Sequence, residues 1–191
     1  MRNFINLLIW FFVIAPLTGC TITYKYGPYI GKVIDAQTEE PIEGAAVHIR
    51  FHTSTPDVGG GHSTYAGSVE CLTNKNGEFN VSYRATTFRF FSLWGEYAGL
   101  VVFKPEYGAF PRYKGTSITP DSGVDGIKVG NKSIIRIIRL PKLNTKKERR
   151  NNLSSLYLGR TPLEEMKIIK KLANQERIYL GLEPLKASEY P

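Results

Sequence analysis

Between Tyr24 and Leu140 apolar and polar positions alternate in short runs separated by turn-forming residues. The runs predict strands over Tyr29–Ile34, Ala46–Phe51, Ser68–Thr73, Glu78–Arg84, Leu100–Lys104 and Ser133–Leu140, all rich in Val, Ile, Phe and Tyr. Ala45, Val47, Ile49 and Phe51 fall on one face, with His48, Arg50 and His52 on the other. The last run alternates less cleanly, because Ile134 and Ile138 interrupt its pattern. Several short strands with turns between them predict a mainly β, antiparallel fold, a sandwich or a barrel.

Two turns are sharply defined. Asn76-Gly77 lies between Cys71-Leu72 and Phe79-Val81 as a hairpin signal, since Asn and Gly tolerate positive φ. Pro41-Ile42-Glu43-Gly44 links the first two strands, with Pro setting φ and Gly releasing it. By contrast Thr53–Gly67, Arg84–Tyr97 and Lys104–Gly130 read as long loops at the ends of the sandwich.

The period changes after Pro141. Lys146-Lys147-Glu148-Arg149-Arg150 reads as part of a polar linker. From Thr161 the apolar positions Leu163, Met166, Ile169, Leu172, Ala173 and Leu180 recur near every 3.6 residues. Pro162 suits the first turn, Thr161 and Glu164 match a capping box, and Gly181 with Pro184 ends the pattern. A C-terminal α-helix over 162–180 is therefore expected, with an apolar stripe that must be covered, most simply by its own domain.

The other end is different again. Arg2 precedes the apolar run Phe4–Ala15, which is too short for a hydrocarbon core of about 30 Å. Its length suits the central part of a secretory signal. Leu17-Thr18-Gly19-Cys20 follows, and these four residues resemble the lipobox of bacterial lipoproteins. The resemblance implies cleavage before Cys20, acylation of its thiol and new amino terminus, and a lipid-anchored protein of the cell envelope. By the same resemblance, Thr21 in place of Asp after the cysteine implies the periplasmic face of the outer membrane, if the organism has two membranes. The expected division is a signal peptide over 1–19, a lipidated tether over 20–28, the sandwich over 29–141, and a basic linker and helix over 142–191.

The sandwich carries a second resemblance. Gly31-Lys32-Val33-Ile34-Asp35 leads to Pro41-Ile42-Glu43-Gly44-Ala45-Ala46-Val47, and later to Thr73-Asn74-Lys75-Asn76-Gly77-Glu78-Phe79. In order and spacing this resembles the carboxypeptidase regulatory-like domain, a transthyretin-like β-sandwich related to the immunoglobulin-like class. The motifs span roughly Tyr29 to Tyr83. The resemblance implies a companion module that is mostly noncatalytic, with loops or the 162–180 helix meeting an envelope partner.

Composition narrows the chemistry. The net charge is +8, and residues 142–191 hold 11 Lys and Arg against 6 Asp and Glu. On an exported chain that excess reads as solvated surface or as contact with anionic headgroups, and nucleic acid is not expected as a partner. With Cys20 acylated, Cys71 has no partner within the chain and reads as a buried small hydrophobe. His48 and His52 are about 13 Å apart along a strand, too far to share a metal, so no metal or cofactor is expected. Asp121-Ser122-Gly123-Val124-Asp125-Gly126 lacks the ligand pattern of a calcium loop. No nucleophile has an evident base, so the chain is read as no enzyme, with no catalytic residues. The alternative reading is a ligand- or carbohydrate-binding lipoprotein that uses the aromatic segment Phe88, Phe90, Phe91, Trp94 and Tyr97.

Overall fold

The computed structural model describes residues 22–55, 62–87, 93–94, 97–119, 126–128, 135–156 and 161–185. Within them the chain is mainly β, two sheets followed by two helices. The strands are β1 (Ile22–Asp35), β2 (Ala46–Thr55), β3 (His62–Leu72), β4 (Glu78–Thr87), β5 (Leu93–Trp94), β6 (Tyr97–Phe103), β7 (Ser117–Thr119), β8 (Gly126–Lys128) and β9 (Ile135–Leu140). Helix α1 is Lys146–Ser155 and α2 is Lys167–Tyr179, preceded by a 3-10 turn at Leu163–Glu165.

One sheet has the order β4-β1-β9-β7, the other β3-β2-β6-β8 with β5 also against β2. All pairs are antiparallel except β1 with β9, where Ile30 faces Ile135 and Asp35 faces Leu140. The alternation of β2 has the expected result. Val47, Ile49 and Phe51 enter the core between the sheets with Tyr26, Tyr29, Val33, Phe79, Leu100 and Ile138. Phe51 is fully buried, with its ring stacked 4.7 Å from that of Tyr83.

The strands run further than their hydrophobic patterns. Residues 22–28, expected as a tether, are strand from Ile22 onward, paired with β4 from Ile22–Thr87 to Tyr26–Tyr83. Polar ends of β2 and β3 extend the hairpin into the expected Thr53–Gly67 loop, because Thr53, Ser54 and Thr55 still pair across to Thr64, Ser63 and His62. Such arms are held by backbone hydrogen bonds, which carry no hydrophobic signature.

Two corrections concern the tail. The expected linker is helical: Thr145 caps α1 by accepting from the Glu148 amide at 3.2 Å, while Glu148 accepts from the Thr145 amide at 3.0 Å. That reciprocal box holds the Glu148 carboxyl below its ordinary range. The later helix begins at Lys167 rather than near Pro162, and Met166 at its N-cap offers no side-chain cap.

Candidate functional site

The motif residues of the sandwich are occupied by turn geometry. Asp35 is buried, and its Oδ1 accepts from the amides of Gln37 at 2.7 Å and Thr38 at 3.1 Å. The Thr73 hydroxyl accepts from the Ala45 amide at 2.8 Å and donates to the Ile42 carbonyl at 2.7 Å. Asn74 Oδ1 accepts from the amides of Asn76 and Glu78, both at 2.9 Å, and so builds the turn from within. Gly77 has φ of 72°, and a Cβ there would strike the Val33 carbonyl. These residues build the β1–β2 and β3–β4 connections, which cross between the two sheets instead of closing the expected hairpins, because β1 and β4 lie in one sheet and β2 and β3 in the other.

The unexpected construction is on the outer face of the sheet containing β2. Alternate residues of β2 point away from the core there, and the C-terminal segment covers them. Met166, Ile169 and Ala173 are buried against Ala46, Val101, Phe103 and Ala109. The stripe of α2 is thus covered by its own domain. At the 3-10 turn, Glu165 Oε2 accepts from the Tyr65 hydroxyl, from the Ser68 amide at 3.0 Å and from Ser68 Oγ at 2.8 Å. Burial and the bond to Glu165 push the Tyr65 phenol well above its ordinary range. Since β3 is an edge strand, Glu165 also takes up an amide that another strand could otherwise bind.

Glu70, further along β3, supplies the cap that Met166 lacks. Its Oε2 accepts from the Ile168 amide at 2.8 Å and its Oε1 from the Ile169 amide at 3.2 Å. A carboxylate at a helix N-terminus satisfies free amides and meets the positive end of the helix dipole. His48, which the alternation places on the face of β2 away from the core, is fully buried beneath this cap. Its Nδ1 lies 3.5 Å from Glu70 Oε1, and neither ring nitrogen makes a hydrogen bond. His52 lies across the strand pair from Tyr65; burial, then the Arg50 charge, lowers its pKa.

The two helices are bolted to each other. Arg149 donates from Nε and Nη2 to the two carboxylate oxygens of Glu176, both at 2.6 Å, with Glu176 only 1% exposed. The bond to Glu176 raises the Arg149 pKa above the usual guanidinium value. The Arg149 guanidinium also lies 3.9 Å from the centre of the Tyr179 ring. Asn152, fully buried, accepts from the Ala109 amide at 2.7 Å and donates to the Tyr107 carbonyl at 2.9 Å. This fixes α1 to the loop after β6.

Cys71 packs against the core as a half-buried side chain. Burial, then the neighbouring Glu70 charge, pushes its thiol up to about 11 from 9.0. At neutral pH the thiolate fraction should be about 100-fold below that of an unperturbed cysteine. Iodoacetamide should therefore modify native protein at pH 7.5 about 100-fold more slowly than urea-unfolded protein. Equal rates would show an accessible, unperturbed thiol.

Of the sequence-predicted residues, Cys20, Phe88, Phe90 and Phe91 lie outside the described residues. Trp94 belongs to β5, and Tyr97 opens β6. Among the described residues no group of three or more His, Cys, Asp or Glu could hold a metal ion. None of their helices is long and apolar enough to cross a membrane. The construction that sequence reasoning missed is the largely buried polar clasp made by Glu70, Glu165, Arg149 and Glu176. Only the Thr145–Glu148 capping box gave a local signal of it.

No family model and no curated protein matches the chain. Among solved structures it is matched to a 9R-lipoxygenase from Cyanothece PCC8801, at 14% identity and a TM-score of 0.28. The match covers 80% of this chain and 24% of that one, so the chain spans about a quarter of the lipoxygenase's length. The matched protein is an enzyme, so the expectation that the chain is no enzyme gains no support from the comparisons and is not carried further. At that TM-score the likeness carries no argument for lipoxygenase chemistry here.

Proposed function

We propose that the chain is a lipid-anchored protein of the bacterial cell envelope, acting as a structural or interaction module built on a transthyretin-like sandwich. The observation that carries this reading is Arg2, the apolar run Phe4–Ala15 and Leu17-Thr18-Gly19-Cys20 in succession. Acylation at Cys20 would put two or more chains into the bilayer, each buried methylene adding about 0.8 kcal/mol. The finer fold assignment is supported by Asp35, Thr73, Asn74 and Gly77, each at its motif position and each needed by a turn. The module's presented surface is the clasped helical layer, which the buried pairs hold rigid against the sheet. In a two-membrane organism the periplasmic face of the outer membrane is its proposed site.

Cys20→Ala is the direct test, read by metabolic labelling with palmitate and by fractionation. The variant should lose the label and either become soluble or persist as uncleaved precursor. Normal maturation with retained label would defeat the anchor.

A further inference from the structure

The helical layer sorts its charges. Residues 142–191 carry 11 Lys and Arg against 6 Asp and Glu. Two of those acids turn inward, Glu176 to Arg149 and Glu165 to β3. Lys146, Lys147, Arg150, Lys167 and Lys171 remain exposed, in excess over the exposed acids Glu148, Glu164 and Glu183. On α2 the buried positions Met166, Ile169, Ala173 and Glu176 leave Lys167, Lys171, Gln175 and Ile178 on the solvent side.

At the end of that helix Ile178 is 62% exposed and Tyr179 55% exposed. Lys146 Nζ stands 5.8 Å from the Tyr179 ring centre, and Arg150 reaches the Leu180 carbonyl at 3.5 Å. An aliphatic and an aromatic side chain thus stand in water among cations. That combination suits the boundary between headgroups and acyl chains.

The position matters as much as the chemistry. Cys20 is two residues ahead of Ile22, where β1 begins. The other end of β1, Asp35, pairs with Leu140, and α1 follows within six residues of it. A strand of 14 residues is about 45 Å long, so the start of β1 and the start of α1 lie toward opposite ends of it.

We infer that the outer face of α1 and α2 is a membrane contact specific for anionic lipid, separate from the acyl anchor. Its place in the cell rests on the envelope reading above. The cations are spread along two helices rather than converging on one point. A diffuse anionic surface reads such an arrangement residue by residue, and an acyl chain with a basic patch makes a stable two-signal attachment.

The test uses purified full chain carrying Cys20→Ala, which cannot be acylated, with two kinds of vesicle. One is pure phosphatidylcholine and the other contains about one-third phosphatidylglycerol. The apolar run Phe4–Ala15 contributes alike to both, so the difference between them reports charge. Partition onto the anionic vesicles should be at least about 10-fold stronger, and should be lost in about 0.5 M salt. Lys147→Glu with Lys171→Glu should lower it about 10-fold or more at unchanged melting temperature. Ile178→Asp, also at an exposed site, should weaken it several-fold.

Equal partition onto both vesicles, or charge reversal without effect, overturns the inference and leaves this face to an acidic protein. Acylation does not enter the measurement. A negative result therefore leaves the anchor standing, whereas palmitate labelling of Cys20→Ala in cells defeats the anchor alone.

Discussion

Replacing Arg149 with alanine is expected to destabilise the protein by about 3–5 kcal/mol, measured by urea denaturation at neutral pH. The substitution leaves Glu176, 1% exposed, with a buried carboxylate whose two 2.6 Å donors are gone. Transferring a charge from water is costly, and the loss of its partner leaves that cost uncompensated. The stack on Tyr179 disappears as well. Glu176→Gln keeps one acceptor oxygen for Arg149 and should cost less. Replacing both residues by apolar ones, Arg149→Met with Glu176→Leu, should recover much of the stability, because buried ion pairs gain little over good packing. A loss below about 1 kcal/mol in Arg149→Ala would mean that the pair is solvated, as exposed pairs are.

Glu70→Ala is expected to free α2 from the sheet without unfolding the sandwich. Two amides, those of Ile168 and Ile169, lose an ionised acceptor at 2.8 and 3.2 Å. Charge-assisted bonds contribute about 1.5–3 kcal/mol each, and Met166 provides no substitute cap. Hydrogen exchange should therefore accelerate by two or more orders of magnitude in the amides of α2, for about 3 kcal/mol of lost local stability. Amides of β1 and β9 should keep their protection, because both strands lie in the sheet that the helical layer does not cover. Glu70→Gln, with one neutral acceptor oxygen, should fall between. Uniform acceleration across sheet and helix would show that the clasp and the sandwich unfold as one unit.

The two variants also separate the helical layer's internal lock from its attachment to the sheet. Arg149 and Glu176 join α1 to α2, whereas Glu70 and Glu165 join the segment to β3. Only the second pair should change how the basic face is presented relative to β1. An interaction module needs that rigidity, since a surface held in one orientation loses less entropy on contact.

Much of the sandwich was legible because its signals are local. The period of two in Val47, Ile49 and Phe51 set which face of β2 is buried, and that face is the core. Gly77 marks a turn because glycine takes positive φ at little cost, but the hairpin expected there does not form, since β3 and β4 lie in different sheets. The stripe on α2 was likewise readable, as were the lipobox-like residues, which lie outside the described structure. Tertiary structure alone decided what the stripe covers and what caps its helix. Glu70 meets Ile168 from 98 residues away, and Ser68 meets Glu165 from 97, distances over which no local pattern reports. His48 looked exposed because its strand face looked polar, yet a helix arriving from the far end of the chain buries it. Helix α1 escaped because its run of charges has almost no apolar stripe, and its hold on the fold comes from Arg149 and Asn152, polar side chains whose partners only folding brings within reach.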